Sequence, residues 1–327
     1  MALGQIRTIN IEIQDYVIRC AEVKKKQSFV VTYCDEYYFP TGIVENGEII
    51  NQEAFVKTLK YCVRKWKMKR KNVRFIVPDS SVIIKTVQVP AAIEDEEITG
   101  HVYFELGHSI HLPFEDPVID TVLLEKNESQ KQVLLVASAA TAVDSYHDYF
   151  KAEKATPIAA DVSALCQYRL FHHYGITNDD DTFMLVQFNV KSVTVSIFEH
   201  HQPVFLQHIE IHYQEDTWKV VPLNQGGQLS REQFDEEKVK NALEEIYTEL
   251  ERILRFYQYS LNNGDKQINH LMLTGDHPFL TDILEGVQER LEVPAHLLSP
   301  RTIPAAKGVP LGYAFYNVIG LAMKEGV

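Results

Sequence analysis

The sequence predicts a two-lobed α/β protein in which one sheet design is used twice and a small α+β unit is inserted into the first lobe. Three observations carry that expectation. A strand, turn, strand, strand pattern occurs over residues 9–39 and again over residues 183–211. A helix, strand, strand, helix block interrupts the first lobe between about 88 and 154. The third is length, since 327 residues exceed what one hydrophobic core ordinarily serves.

Composition narrows the class. With 45% hydrophobic and 24% charged residues the chain reads as an ordinary globular protein, and a formal net charge of -13 argues against general nucleic-acid binding. Cys20, Cys34, Cys62 and Cys166 show no CxxC spacing and sit in apolar stretches, so they read as packed, reduced thiols. The N-terminus lacks the apolar core of a signal peptide, and no stretch approaches the ~20 apolar residues of a membrane span.

Residues 6–13 and 17–23 read as strands joined by a short turn, and 28–39 as a third strand ending at Pro40. Residues 52–66 carry Phe55, Leu59, Cys62, Val63 and Trp66 at helical spacing, and 73–77 form a buried strand closed by Pro78-Asp79. The inserted block opens with a helix over 93–110, whose first turn holds Glu94, Asp95, Glu96 and Glu97 where the helix dipole favours them. Strands over 118–124 and 132–137 and a helix over 141–153 follow, with Pro90, Pro113 and Pro117 as punctuation. The first lobe resumes with apolar residues 158–160 and a helix over 162–173 capped by Asp161.

After an acidic linker at 178–181, strands over 183–189, 192–199 and 203–211 repeat the N-terminal meander. A long helix over 235–261 aligns Val239, Leu243, Ile246, Leu250, Ile253, Leu254 and Tyr257 on one face. A strand over 270–273, a helix to 291 and an apolar helix over 309–323 complete the chain.

The candidate site lies in the first turn of each meander. These read Glu12-Ile-Gln14-Asp15-Tyr16 and Gln187-Phe-Asn189-Val190-Lys191, and neither offers the glycine that lets a backbone approach a phosphate. A duplicated scaffold without those glycines points to a retained shape and a weakened or lost ligand.

Other constellations read as ordinary surface. His208, Glu210 and His212 alternate and share one face of a strand, yet no fourth zinc ligand lies nearby. His172-His173 and His200-His201 fall at a helix end and a hairpin turn. No GxxxxGK[ST], GxSxG or HExxH occurs, which leaves P-loop, hydrolase and zincin chemistry without support. The basic run from 57 to 74, including Lys57, Lys60, Arg64, Lys67, Lys69 and Arg70, offers a patch for anionic lipid or an acidic partner, and reads first as a solvated helix face.

Six segments, in order, carry a resemblance. They are Glu12-Ile-Gln14 with Ile18-Arg-Cys-Ala-Glu22-Val; Val77-Pro-Asp-Ser-Ser-Val-Ile-Ile-Lys-Thr-Val-Gln-Val-Pro90; and Phe104-Glu-Leu with Pro113-Phe114-Glu115-Asp116. Val133-Leu-Leu-Val-Ala137 with Val143-Asp-Ser-Tyr146, Asp161-Val-Ser-Ala-Leu165, and Tyr313-Ala with Ile319-Gly-Leu-Ala322 complete the set. The chain resembles the actin-like superfamily over nearly its whole length, and within it the PilM family of type IV pilus assembly, itself similar to the cell-division protein FtsA.

The resemblance implies a duplicated, ribonuclease H-like fold. Its first-lobe core would comprise 1–87, completed by 155–180 and the helix 309–327, with 88–154 as the inserted subdomain. The second lobe would comprise a core of 181–214 and 265–308 and an accessory helical subdomain, 215–264. In nucleotide-binding members, two Asp-apolar-Gly turns hold phosphates and magnesium, and a Gly-Gly turn packs on adenosine. Here Glu12 and Gln14 stand at the first turn, Gln187 and Asn189 at the second, and Thr274-Gly275-Asp276-His277 at the third.

Those departures imply weak chemistry. A residue other than glycine at positive φ costs ~1 kcal/mol, Asp15 opposes a polyphosphate, and Gln187 cannot order the hydration shell of magnesium. Lys191, near the second turn, reads first as an exposed hairpin lysine and second as a phosphate-facing cation that would compensate. Two lost charge-assisted contacts weaken binding by roughly a hundredfold to ten-thousandfold. The expectation is therefore no resident cofactor, ATP with magnesium at low affinity at most, and no turnover.

The implied partner is the N-terminal cytoplasmic tail of a bitopic inner-membrane protein like PilN, with a secretion ATPase as a further partner. The tail would lie in a groove between the first-lobe core and the insert, lined by Val82 and Ile84 of an edge strand and by Tyr103, Phe104 and Leu106. The chain ends at Lys324-Glu-Gly-Val327 without the amphipathic helix of FtsA, so the expected place is cytoplasmic, at the inner face of the membrane only through the partner. The alternatives are a nucleotide-dependent switch or slow ATPase of the same machine, a filament-forming subunit, and the cytoplasmic domain of a type II secretion protein.

Overall fold

Two strands with almost no exposed position open the chain, β1 (Thr8–Ile13) and β2 (Val17–Lys24), and such burial requires cover on both faces of their sheet. The computed structural model describes residues 7–24, 29–178, 180–214, 217–223 and 226–325. β3 (Val30–Tyr38) lies antiparallel to β2. A short hairpin of β4 (Val44–Glu45) and β5 (Glu48–Ile49) turns on Asn46 and Gly47 at φ of 50° and 78°, the pair such a turn favours. α1 (Gln52–Lys65) starts at Asn51, whose side chain accepts the Ala54 N–H, and buries Phe55, Leu59, Cys62 and Val63. β6 (Asn72–Ile76) then runs parallel to β1.

The inserted unit comprises β7 (Val82–Pro90), α2 (Ile98–Glu105), β8 (Pro117–Lys126), β9 (Gln130–Ala139) and α3 (Ala140–Ala152), its strands ordered β7-β9-β8. α2 is shorter than the helix expected over 93–110. Asp95–Glu97 form a 3-10 turn before it, and Gly107 at φ 79° turns the chain after it. β10 (Thr156–Asp161) returns beside β6, and α4 (Ser163–His173) follows. Asp161 closes β10 instead of capping α4; Val162 takes the cap position, and the Asp161 carboxylate accepts the Val162 N–H at 2.9 Å and pairs with Arg169 at 2.5 Å.

The second lobe contains β11 (Thr182–Phe188), β12 (Ser192–Glu199), β13 (Gln202–Glu210), β14 (Val221–Leu223), β15 (Gly226–Gln228) and α5 (Glu236–Arg255). β16 (His270–Gly275), α6 (Leu280–Arg290) and β17 (Ala295–Leu297) complete it, and α7 (Tyr316–Ala322) returns to the first. The helix expected to reach 261 leaves α-geometry at Arg255 and continues as a π-helical turn, Phe256–Leu261. The last helix, expected from 309, is delayed by Pro310 and an extended Gly312, so that a 3-10 turn at Tyr313–Phe315 precedes α7.

The duplication is visible in the sheets. One runs β3-β2-β1-β6-β10 and the other β13-β12-β11-β16-β17, each an antiparallel meander followed by two parallel strands. The hairpin β14–β15 crosses between lobes and extends the first sheet beside β3, pairing Gly227 with Tyr38. A Cβ on Gly227 would stand 2.2 Å from Val220 Cγ1, so a side chain there would have to displace Val220. The accessory stretch is therefore helical only in part.

Residues 1–6 and 326–327, read for targeting and anchoring, lie outside the described residues, as do 28, 179, 215–216 and 224–225 of the expected third strand, linker and accessory stretch. α7 is buried at every position. It crosses α4 at Gly320, where a Cβ would stand 1.8 Å from the Cys166 carbonyl oxygen. All four cysteines are free and buried. Among the described residues no helix is long and apolar enough to cross a membrane.

Candidate functional site

β1 and β11 end side by side where the lobes meet, and each is followed by a tight turn. The Gln14 N–H donates to the Val17 carbonyl at 2.9 Å, and the Asn189 N–H to the Ser192 carbonyl at 2.8 Å. Gln14, Asp15, Asn189 and Val190 are absent from the residues at positive φ, so the strain expected for glycine-less turns does not arise. These backbones have settled into shapes that an L-residue adopts freely.

All eight sequence-predicted pocket positions converge here. Glu12, at the end of β1, is buried; its Oε1 accepts from Gln14 Nε2 (3.0 Å) and from Asn317 Nδ2 (2.5 Å), and burial raises its carboxyl pKa against the pull of Arg19. Gln187, its counterpart on β11, accepts from Gln167 Nε2 and from Asn317 Nδ2 (3.2 Å). Gln167 sits on α4 and Asn317 on α7, so the crossing helices join the two strand ends by hydrogen bonds.

The buried positive charge of the seam comes from Arg19, in the middle of β2 and 1% exposed. Its guanidinium stands 2.5 Å from Asp276, 3.0 Å from Glu36 and 3.7 Å from Glu12. Burial opposes the charge, but these carboxylates, Asp276 foremost, more than restore it. Tyr16 completes the bridge: its hydroxyl lies 2.7 Å from both Asp276 oxygens and accepts the Val190 N–H at 3.1 Å. An amide of the second turn thus meets a phenol of the first. Burial, reinforced by Asp276, raises the Tyr16 pKa well above its ordinary value and keeps the phenol neutral.

Asp276 and Gly275, expected at an adenosine turn, have other tasks. Asp276 is the second-lobe anchor for Arg19 and Tyr16. Gly275, at φ 118°, lies so close to β11 that a Cβ would stand 1.9 Å from the Phe188 carbonyl oxygen, so glycine there serves strand packing. Aromatic rings fill the space beside them: Tyr16 meets Trp218 edge-on at 5.6 Å, and Trp218 stacks on Phe234 at 6.0 Å. The Phe279 N–H donates to His277 Nδ1 (3.2 Å), which leaves the proton on Nε2 for the Tyr213 hydroxyl (2.8 Å); burial lowers the His277 pKa to about 4.

Asp15 does not confront an incoming anion with a bare charge. It accepts the N–H groups of Asn46 (3.0 Å) and Gly47 (3.1 Å) and pairs with Lys191 across the lobes at 3.3 Å. Lys191 is therefore neither a bare phosphate-facing cation nor a solvated hairpin lysine. A second carboxylate, Asp79, which no local sequence pattern singles out, accepts from Ser163 Oγ (2.5 Å) and Thr194 Oγ1 (2.9 Å), with His208 Nδ1 3.2 Å from Thr194 Oγ1, and burial raises its pKa against the pull of His208. Strand β13 ends at Glu210, so His212 lies beyond it, and among the described residues no group of three or more His, Cys, Asp or Glu is placed to hold a metal ion.

Two spaces remain. A cleft of about 560 Å³ is lined by Asp15, Asp79, Ser163, Asn189, Lys191 and His208. An inner gap of about 160 Å³ lies among Glu12, Gln14, Gln167, Thr274 and Asn317, and Glu12 Oε2, Gln14 Oε1, Gln167 Oε1 and Thr274 Oγ1 around it are buried without a protein partner. The gap leaves room for about one water, about 10 Å³, well below the ~300–1,000 Å³ of an ordinary ligand pocket, and its lining is polar. The phosphate-binding pattern fits poorly: the second-turn amide is engaged by Tyr16, and Asp15 and Asp79, two of the three carboxylates that line the outer cleft, are already hydrogen-bonded.

The expected partner residues do not form one surface. Val82 and Ile84, 6% and 7% exposed, point into the first-lobe core, whereas Val87 and Val89 face the other way into the small core under α2. Tyr103 and Phe104 are exposed on α2, and Leu106 packs partly buried against that small core. The two sets lie on opposite faces of the inserted sheet, so side chains from both cannot line a single groove. A groove of about 1,010 Å³ does separate the first-lobe core from the insert, lined by Gly47, Glu48, Ser80, Ser81, Ala142 and Tyr149 among others.

The family described as type IV pilus assembly protein PilM matches residues 10–309. Among solved structures, the chain is similar to one described as the PilM-PilN type IV pilus biogenesis complex, with a TM-score of 0.78, 17% identity and 98% of each chain covered. It is similar also to the cytoplasmic domain of EpsL, an inner membrane component of the type II secretion system of Vibrio cholerae (TM-score 0.51, 10% identity, 98% of this chain and 96% of that one). The ADP-bound MreB5 of Spiroplasma citri has a TM-score of 0.51 at 9% identity over the same shares. At such identities the likeness is one of fold, the two-lobed actin-like fold.

Proposed function

The chain belongs to the PilM family of type IV pilus assembly proteins, and on that premise we propose that it is a cytoplasmic scaffold of the assembly machine. In this reading it holds the N-terminal tail of a PilN-like inner-membrane protein and binds ATP weakly or not at all. One observation carries the second half: Tyr16 and Arg19 of the first lobe meet Asp276 and the Val190 amide of the second, closing with protein groups the junction a nucleotide would bridge. A bound nucleotide would have to displace Tyr16 from that amide and leave Asp276 buried with one partner fewer.

The partner half draws on the solved relative described as a PilM-PilN complex. The groove between the first-lobe core and the insert suits an extended tail, with Ser80, Ser81 and Glu48 for polar contacts and Ala142 and Tyr149 for apolar ones. Attachment to the membrane then comes through the partner.

Calorimetric titration with ATP and magnesium, followed by titration with a peptide of the partner's N-terminal tail, tests both halves. The expected result is peptide binding at full strength in the absence of nucleotide and no measurable heat from micromolar ATP. Micromolar ATP affinity would overturn the scaffold reading in favour of a nucleotide-dependent switch. Failure of the peptide to bind under either condition would remove the partner assignment.

A further inference from the structure

The basic run of residues 57–74 spans most of α1, the turn that leads to β6 and the start of β6. Its neighbour in space is the turn between α3 and β10: the Arg70 N–H donates to the Lys154 carbonyl at 2.7 Å, and the Thr156 N–H to the Lys71 carbonyl at 2.9 Å. Lys67, Lys69, Arg70, Lys151 and Lys154 are thereby gathered on one rim, all exposed. Among the described residues none of the five takes part in an ion pair.

The backbone adds an independent observation. Lys67, Arg70 and Lys154 adopt φ of 54°, 60° and 63°, a conformation that glycine or asparagine takes at lower cost. Cations stand at three positions where local energetics prefer other residues. The rim also has a defined place, because Thr8, Asn72 and Thr156 pair in register at the starts of β1, β6 and β10, while the interlobe cleft lies at their opposite ends. At ~3.3 Å per residue the two are roughly 15–20 Å apart, so a surface meeting the rim leaves the cleft open.

We propose that this rim docks on the anionic headgroups of a lipid bilayer. A planar surface touches the rim alone, whereas a long polyanion wrapping the chain would meet a protein of formal net charge -13. Turn tips present neither a free strand edge nor an apolar groove for a peptide. None of the exposed large hydrophobic residues belongs to the rim, so attachment is electrostatic, shallow and sensitive to salt. It would act beside the partner-mediated attachment and stands or falls independently of it.

The test is co-sedimentation of the full chain with vesicles of phosphatidylglycerol and phosphatidylcholine, against phosphatidylcholine alone. Binding is expected to the mixed vesicles only and to vanish at high salt. Lys69→Gln/Lys151→Gln/Lys154→Gln should weaken partitioning by about a hundredfold. Lys240→Gln/Arg252→Gln/Arg255→Gln, the same charge change on α5, should leave it within about twofold; a circular-dichroism melt confirms folding of each variant. If the first variant unfolds, Lys69→Gln/Lys151→Gln, at positions of ordinary φ, replaces it with a loss of about twentyfold. Equal binding to neutral vesicles, an unchanged rim variant, or binding to duplex DNA without binding to vesicles would overturn the proposal.

Discussion

In the first hairpin the turn closes with the Gln14 N–H on the Val17 carbonyl, and in the second with the Asn189 N–H on the Ser192 carbonyl, at nearly the same distance. Beyond that shared bond the two turns differ. The first sends a side chain, Tyr16, across the lobe boundary; the second offers a main-chain amide, that of Val190, to receive it. Their flanking strands differ likewise: β2 carries a buried arginine, whereas β12 is apolar or hydroxyl-bearing at its buried positions. Duplication preserved the backbone, and divergence turned two equivalent loops into the halves of a clasp. The clasp is lopsided, with its charge concentrated on Arg19, Glu12 and Asp276 and its backbone contribution coming from the second turn.

That asymmetry ranks the expected effects of mutation. Arg19→Met leaves Asp276 and Glu12 buried without their cation and should cost about 3–5 kcal/mol in urea unfolding; a loss below about 1 kcal/mol would mean that the seam does not hold the lobes together. Next comes acid. The folded pKa of His277 is depressed to about 4 from an ordinary 6.5, so the unfolded chain binds the proton first and the stabilisation, complete above pH 6.5, is lost as pH falls towards 4. The loss is on the order of 3 kcal/mol and should flatten in His277→Gln when unfolding is followed across that range.

Tyr16→Phe should cost about 1–3 kcal/mol, because the Val190 amide loses its acceptor. Paired with a nucleotide titration, the turns can be compared directly. Gln14→Gly alone should leave ATP binding unchanged, and Gln14→Gly/Tyr16→Gly should raise it; an increase from Gln14→Gly alone would show that the turn residue, not the tyrosine, is the obstacle. The smallest effect belongs to Lys191→Gln, below about 1 kcal/mol and largest at low salt, since a third of the Lys191 side chain is exposed and Asp15 keeps its two backbone donors.

The sequence disclosed the repeat because continuous apolar strands and their turns are local signals. The two meander turns are local in the same sense, whereas Gly275 and Asp276 entered only through the resemblance. The sequence did not disclose the clasp, whose partners stand 257 residues apart for Arg19 and Asp276 and 305 apart for Glu12 and Asn317. One local sign was present: Arg19 interrupts the run Val17-Ile18-Arg19-Cys20-Ala21, and a charge inside a fully buried strand must find a counter-charge. For the partner residues, period-two alternation along β7 sends Val82 and Ile84 to the face opposite Val87 and Val89, but that α2 covers the second face is a tertiary fact that no local pattern carries.

The crossing of α7 over α4 at Gly320 has a consequence for how the protein is made. α7 packs against β1, β2 and β6, so strands formed by residues 8–76 are covered by residues 316–322. At a synthesis rate of ~5–20 residues per second, those strands wait roughly 12–50 seconds after translation for their final buried helix. During that interval the nascent first lobe exposes an apolar face on the ribosome, and a chain cut short before residue 316 should be recognised by chaperones or proteases instead of accumulating as a folded half.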